Sequence, residues 1–141
     1  MRFPRESGQA LVESILLGLV LLLPLLWALG VLAQLHSAAL ASTAAVREAA
    51  FDAARTSDVA GADRAIRRAV ARAFDDNGLE PGRALVRWTS PTGLERGGTV
   101  EIRVQYPVSV LQWPFIGSFG GPAIRVEASH IARLDPFRSR E

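Results

Sequence analysis

The chain has no cysteine in 141 residues. This excludes a disulfide framework, a thiolate metal site and a thiol nucleophile. Lysine is absent too, because all 16 basic residues are arginine. A catalytic lysine, a Schiff base and a P-loop lysine are therefore excluded. Charge of one sign is also scarce: 16 arginines face 14 acids, for a net charge of +2. A nucleic-acid binder of this size carries a larger and more clustered basic excess. Disorder is excluded from the other side, since 49% of the residues are hydrophobic. The length allows one small domain and little else.

What the chain does have is a long apolar run. From Ser14 to Ala33 it reads SILLGLVLLLPLLWALGVLA, and no Asp, Glu or Arg stands between Glu13 and Arg47. A helix rising about 1.5 Å per residue covers the roughly 30 Å hydrocarbon layer with such a run. There is no period-two alternation for a strand, and Leu occupies every helical face, so a soluble amphipathic helix is excluded as well. Pro24 lies inside the run and is expected to bend it only mildly, as membrane helices tolerate proline. Arg2 and Arg5 precede the run and favour the cytoplasmic side for the amino terminus. Residues from about His36 onward then lie outside the cytoplasm.

Three readings of this segment differ in consequence. A cleavable secretory signal has a small-x-small site at Ala39-Leu40-Ala41, before Ser42. However, such signals have apolar cores of about 7–15 residues and total lengths of about 15–30. A plain single-pass anchor explains the hydrophobicity but not the residues at its edge. The third reading starts from that edge, Arg5-Glu6-Ser7-Gly8-Gln9-Ala10-Leu11-Val12-Glu13, which runs straight into the apolar stretch.

This junction resembles the leader junction of type IV pilin-like proteins. With the Leu-rich stretch behind it, it looks most like the TadE-like minor pilins of tight-adherence systems. The resemblance covers the junction and the helix, and extends through the rest by element order and by the last segment, PAIRVEASHIARLD. It implies a substrate of the prepilin peptidase, cut after Gly8 to leave Gln9 as the new amino terminus. Glu13 then stands five residues past the cut. It implies a precursor in the bacterial cytoplasmic membrane with an extracytoplasmic head, and packing through the apolar helix into a pilus. The implied partners are the membrane, the peptidase, other pilins or minor pilins, and the pilus assembly platform. The family often has an aromatic after the Glu; here Ser14 follows, which leaves major against minor component open. The rival function is a secreted or membrane-anchored envelope binding domain that does not polymerise.

The chemistry of Glu13 fits either of two roles. A carboxylate at the edge of a membrane helix is costly unless paired or wetted. Cleavage after Gly8 would free an α-amine one helical turn away. In a stack of such helices, Glu13 of one subunit would meet the Gln9 amine of the next. Desolvation offsets much of that attraction, so such a pair sets axial register more than it adds stability. The plainer role is an acid favoured by the helix dipole, by about 0.3–1 kcal/mol, sitting among headgroups.

Further along, residues 34–54 are Ala-rich and uninterrupted by Gly or Pro. The membrane helix is expected to continue through them. Ser37, Ala41, Ala45, Ala49 and Ala53 repeat every four residues and form a stripe of small side chains on one face. Small stripes allow close helix packing, against neighbouring rods in a filament or against this chain's own sheet. TSDVAGAD (56–63) reads as a break, and a second helix is expected from about Ala62 to Asp76. Ile66, Val70 and Phe74 line one face of it, and Asn77-Gly78 ends it. Its arginines, Arg64, Arg67, Arg68 and Arg72, are balanced by acids and read as a solvated face.

The period then changes to two. Residues 84–89 and 99–106 read as a hairpin around a Gly-rich turn, and 123–133 as a third strand. The expected fold is α+β and pilin-like: a long membrane-inserting helix continuing outward, a second helix, and a small three-stranded antiparallel sheet. The expected divisions are a leader (1–8), an assembly helix (9–35), its extension (36–56), an α+β head (57–134) and a polar tail (135–141). The loop 107–122 carries Trp113, Phe115, Ile116 and Phe119 without a charge. It is either tucked over the sheet edge or exposed as a contact patch.

No catalytic constellation is visible. His36 has no metal-ligand partner at i+3 or i+4, and His130 reads as an ordinary half-buried strand residue. G-x-S-x-G, G-x-x-x-x-G-K and H-E-x-x-H are all missing. The expectation is a non-enzymatic protein without cofactor, metal, nucleic-acid partner or small-molecule substrate.

Overall fold

The computed structural model describes residues 6–56, 58–95, 97–110, 112–113, 117–118 and 121–134, and the side chains of all these except 6, 7, 112, 113, 117 and 118. The element order is α1 (Glu6–Ala54), α2 (Val59–Asp75), a 3-10 turn (Pro81–Arg83), β1 (Leu85–Thr89), β2 (Thr99–Ser109), β3 (Gln112–Trp113), β4 (Gly117–Ser118) and β5 (Ala123–Arg133). The fold is α+β, as expected. Two compact units divide the chain, Met1–Ala33 and Gln34–Glu141.

The first unit is the amino-terminal part of α1. Residues 8–30 are exposed throughout, and the helix continues through Pro24. It is long and apolar enough to cross a membrane. The Ser14 hydroxyl is satisfied locally: its Oγ donates to the Ala10 carbonyl at 2.9 Å.

The second unit has two helical segments on one face of a three-stranded antiparallel sheet of order β1-β2-β5. Alternation along β2 decides which face is covered. Val100, Ile102, Val104, Tyr106 and Val108 are buried, while the odd-numbered residues between them point the other way. Against this row pack Ile66, Val70 and Phe74 of α2, and Ala38, Ala41, Ala45, Val46, Ala49, Ala50 and Ala53 of α1. Phe74 and Tyr106 stack with ring centroids 4.8 Å apart.

Two boundaries differ from the sequence reading. α2 begins at Val59, so Gly61 lies inside the helix and not in a break. The Asp58 carboxylate fills the space that a Cβ at Gly61 would need. β2 extends through Pro107, which pairs with Arg125. The reason lies in the ladder. Leu134 N bonds Gly98 O, and Val110 N bonds Pro122 O, so the even residues of β2 exchange hydrogen bonds with β5. The backbone of Pro107 faces the other way, beyond the point where β1 begins opposite Gln105. No ladder bond is lost there. Instead, Arg83 Nη2 donates to the Pro107 carbonyl at 3.0 Å and to Ser109 Oγ at 3.1 Å. The same guanidinium lies 5.6 Å from the Tyr106 ring centroid.

The hairpin turn between β1 and β2 requires glycine at one point. A Cβ on buried Gly98 would sit 2.7 Å from the Gly93 carbonyl oxygen. Ser90 Oγ closes the turn, lying 2.6 Å from the Gly93 carbonyl oxygen and 3.0 Å from that of Thr99, with its one proton shared between the two.

Candidate functional site

The junction singled out by sequence is helical. α1 starts at Glu6, so Gly8, Gln9 and Glu13 all lie on it, exposed. Gln9 and Glu13 are four residues apart and share a face. Glu13 is the one acid among exposed Leu11, Val12, Ile15 and Leu16. A Cβ added at Gly8 would meet no atom within 4 Å. The fold therefore asks nothing of glycine at this position, although glycine costs a helix about 0.8–1 kcal/mol relative to alanine.

The small-residue stripe is part of the head core. Ala41, Ala45, Ala49 and Ala53 are 0% exposed and Ser37 is half-buried. Of the two packing partners considered for this stripe, the chain's own sheet and second helix occupy it. The apolar loop offers less. β3 and β4 form a short antiparallel pair, Gln112 opposite Ser118 and Trp113 opposite Gly117. The Trp113 side chain, and Phe115, Ile116 and Phe119 altogether, lie outside the described residues.

The arginines of α2 divide by role. Arg64, Arg67 and Arg68 are exposed. Arg72 reaches back to α1, with Nη2 2.8 Å from Glu48 Oε1 and 3.0 Å from Asp52 Oδ2. Asp63 joins α2 to the sheet. Its carboxylate accepts from Arg67 Nε at 2.8 Å and from Trp88 Nε1 at 3.0 Å. The bond from Arg67, then that from Trp88, holds this carboxyl below its ordinary range and outweighs a small desolvation effect. Asp63 in turn raises the Arg67 guanidinium.

Sequence reasoning missed these links. Asp63–Trp88 and Arg83–Pro107 span 25 and 24 residues, and no local period announces such pairs. His130 differs from its expected half-buried state. It lies on the inner side of β5 but is exposed. Among the described residues, no group of three or more His, Asp or Glu side chains is placed to hold a metal ion.

Comparison with protein-family models, with characterised proteins and with solved structures finds no match to this chain.

Proposed function

We propose that this chain is a pilin-like precursor of the TadE-like minor-pilin class. It is inserted in the bacterial cytoplasmic membrane with its basic leader inside, cut after Gly8 by a prepilin peptidase, and packed through α1 into a tight-adherence pilus or its priming complex. One observation carries this reading. A glycine that the fold does not require stands five residues before Glu13, the one acid among exposed Leu11, Val12, Ile15 and Leu16 of an apolar helix. A plain anchor needs neither residue. A peptidase that must bring the chain close to its catalytic groups needs a small residue at the cut, and a stacked bundle needs one polar group to fix its register. The head then serves as the extracytoplasmic contact module, and its partners are other pilins and the assembly platform.

The mature amino terminus tests this directly. Mass spectrometry of the protein isolated from its host should find Gln9 as the first residue. A terminus at Ser42 identifies a secreted domain, and one at Met1 an uncleaved anchor. Either result rejects the proposal.

A further inference from the structure

Gln9 is exposed near the start of α1, and its side-chain amide makes no hydrogen bond among the described residues. A cut after Gly8 turns its backbone nitrogen into an α-amine, nucleophilic whenever it sheds its proton. In glutamine the carboxamide carbon lies within ring-closing reach of the residue's own α-nitrogen. Ring closure costs the helix no hydrogen bond, because the first residue of a helix has no carbonyl one turn earlier for its nitrogen to bond. It also removes a positive charge from the end of the helix where the macrodipole disfavours one.

We infer that Gln9 is a self-modification site: in the cut chain its α-amine closes on its own side chain unless Glu13 of a neighbouring copy pairs with it. This rests on the cleavage proposed above. The α-nitrogen attacks Gln9 Cδ and the new N–Cδ bond completes a pyrrolidone ring. The Cδ–Nε2 bond breaks, and Nε2 leaves as ammonia with the proton that the amine gives up. No oxidant, metal or second substrate is consumed. An ion pair with Glu13 needs the ammonium, which has no lone pair to attack with, so a packed chain is protected. A cut chain that finds no neighbour is not. The resulting lactam is uncharged and leaves the neighbour's Glu13 without a counter-ion at the membrane edge, where an unpaired carboxylate is costly. Closure therefore withdraws unassembled chains and limits the time between cutting and packing.

The absence of lysine makes the test clean. All 16 basic residues are arginine, so the Gln9 amine is the only primary amine of the cut chain, and closure leaves none. Synthesis is stopped in host cells making the full chain. Over the following hours the chain is isolated in two pools, one that co-purifies with partner pilins and one that does not. Each is treated with an amine-reactive ester before mass spectrometry of the amino-terminal peptide. In the free pool a form lighter by one ammonia and blind to the ester should rise several-fold, while the co-purifying pool keeps the labelled amine. Glu13→Ala should raise the lactam share of the whole population several-fold. Gln9→Ala, which has no carboxamide, should stay fully labelled. A free Gln9 amine that persists in the free pool, equal lactam shares in the two pools, indifference to Glu13→Ala, or loss of label in Gln9→Ala would overturn the inference and leave cleavage after Gly8 standing. A terminus at Met1 or Ser42 would reject the cleavage and the inference with it.

Discussion

Trp88 and Asp63 join the sheet to the second helix: the indole Nε1 of β1 donates 3.0 Å to Asp63 Oδ1 near the start of α2. Arg67, one turn further along the helix, holds the other oxygen at 2.8 Å. Both carboxylate oxygens are thus committed in fixed directions, and the helix cannot rotate about its axis without breaking the indole bond.

Replacing Trp88 by Phe removes the bond while keeping most of the half-buried ring. The cost should be about 1 kcal/mol, the usual net value of one hydrogen bond. Thermal unfolding of the full chain in detergent, followed by near-ultraviolet circular dichroism, measures it. The pH dependence has a definite sign. Asp63 titrates lower in the folded state than the unfolded value of about 3.9. Its contribution is therefore present above about pH 4 and disappears as the pH falls through the folded value. Asp63→Asn should flatten that acid limb, and an unchanged limb would count against the assignment.

Phe74 is fully buried and stacked on Tyr106. Phe74→Ala should cost about 3–5 kcal/mol, the range for deleting a buried aromatic. Loss of the cooperative transition in a denaturant titration, or a midpoint shift of that size, is the expected result.

Ser42 is buried in the same core, and its hydroxyl has no hydrogen-bond partner among the described residues. Ser42→Ala removes an unsatisfied polar atom and should be neutral or stabilising by about 1 kcal/mol. Ala45→Leu, three residues on, adds bulk at a position that is 0% exposed. It should cost about 1–3 kcal/mol by overpacking. If both changes prove neutral, this face of α1 is not packed as described.

Two substitutions address the amino-terminal junction. Gly8→Leu meets no steric obstacle in the fold, so it should leave the head intact and accumulate the uncut form. Normal processing would argue against a glycine-directed peptidase. Glu13→Ala should leave membrane insertion unchanged and reduce co-purification with partner pilins. Unchanged piliation would remove the register role.

Much of the architecture was readable from period alone. Ile66, Val70 and Phe74 mark the buried face of α2, and alternation marks β2 and β5, because covering one face of an element imposes its own repeat on the sequence. Pro107 was misleading. A proline reads as the end of a strand, and only the three-dimensional ladder reveals that its backbone faces a gap filled by Arg83. The alanines of α1 were ambiguous for a different reason. Alanine suits any close helix contact, whether with a neighbour or with the chain's own sheet, and only tertiary packing distinguishes the two. The place of β5 at the edge of the sheet was hidden because strand order does not appear in a linear string. His130 carries no local mark of exposure either, since its surroundings depend on how far the helices reach across the sheet.

The alanine row has a mechanical corollary. Shifting the 34–54 segment by one full turn replaces Ala41 with Ala45 and Ala45 with Ala49, so these contacts behave like a vernier with near-identical divisions. Phase must come from the marks that do not repeat. Val46 is one, since a shift brings Ser42 or Ala50 into its seat. The other is the clasp of Glu48 and Asp52 on Arg72, which makes three charged side chains the indexing pin of an otherwise smooth rail.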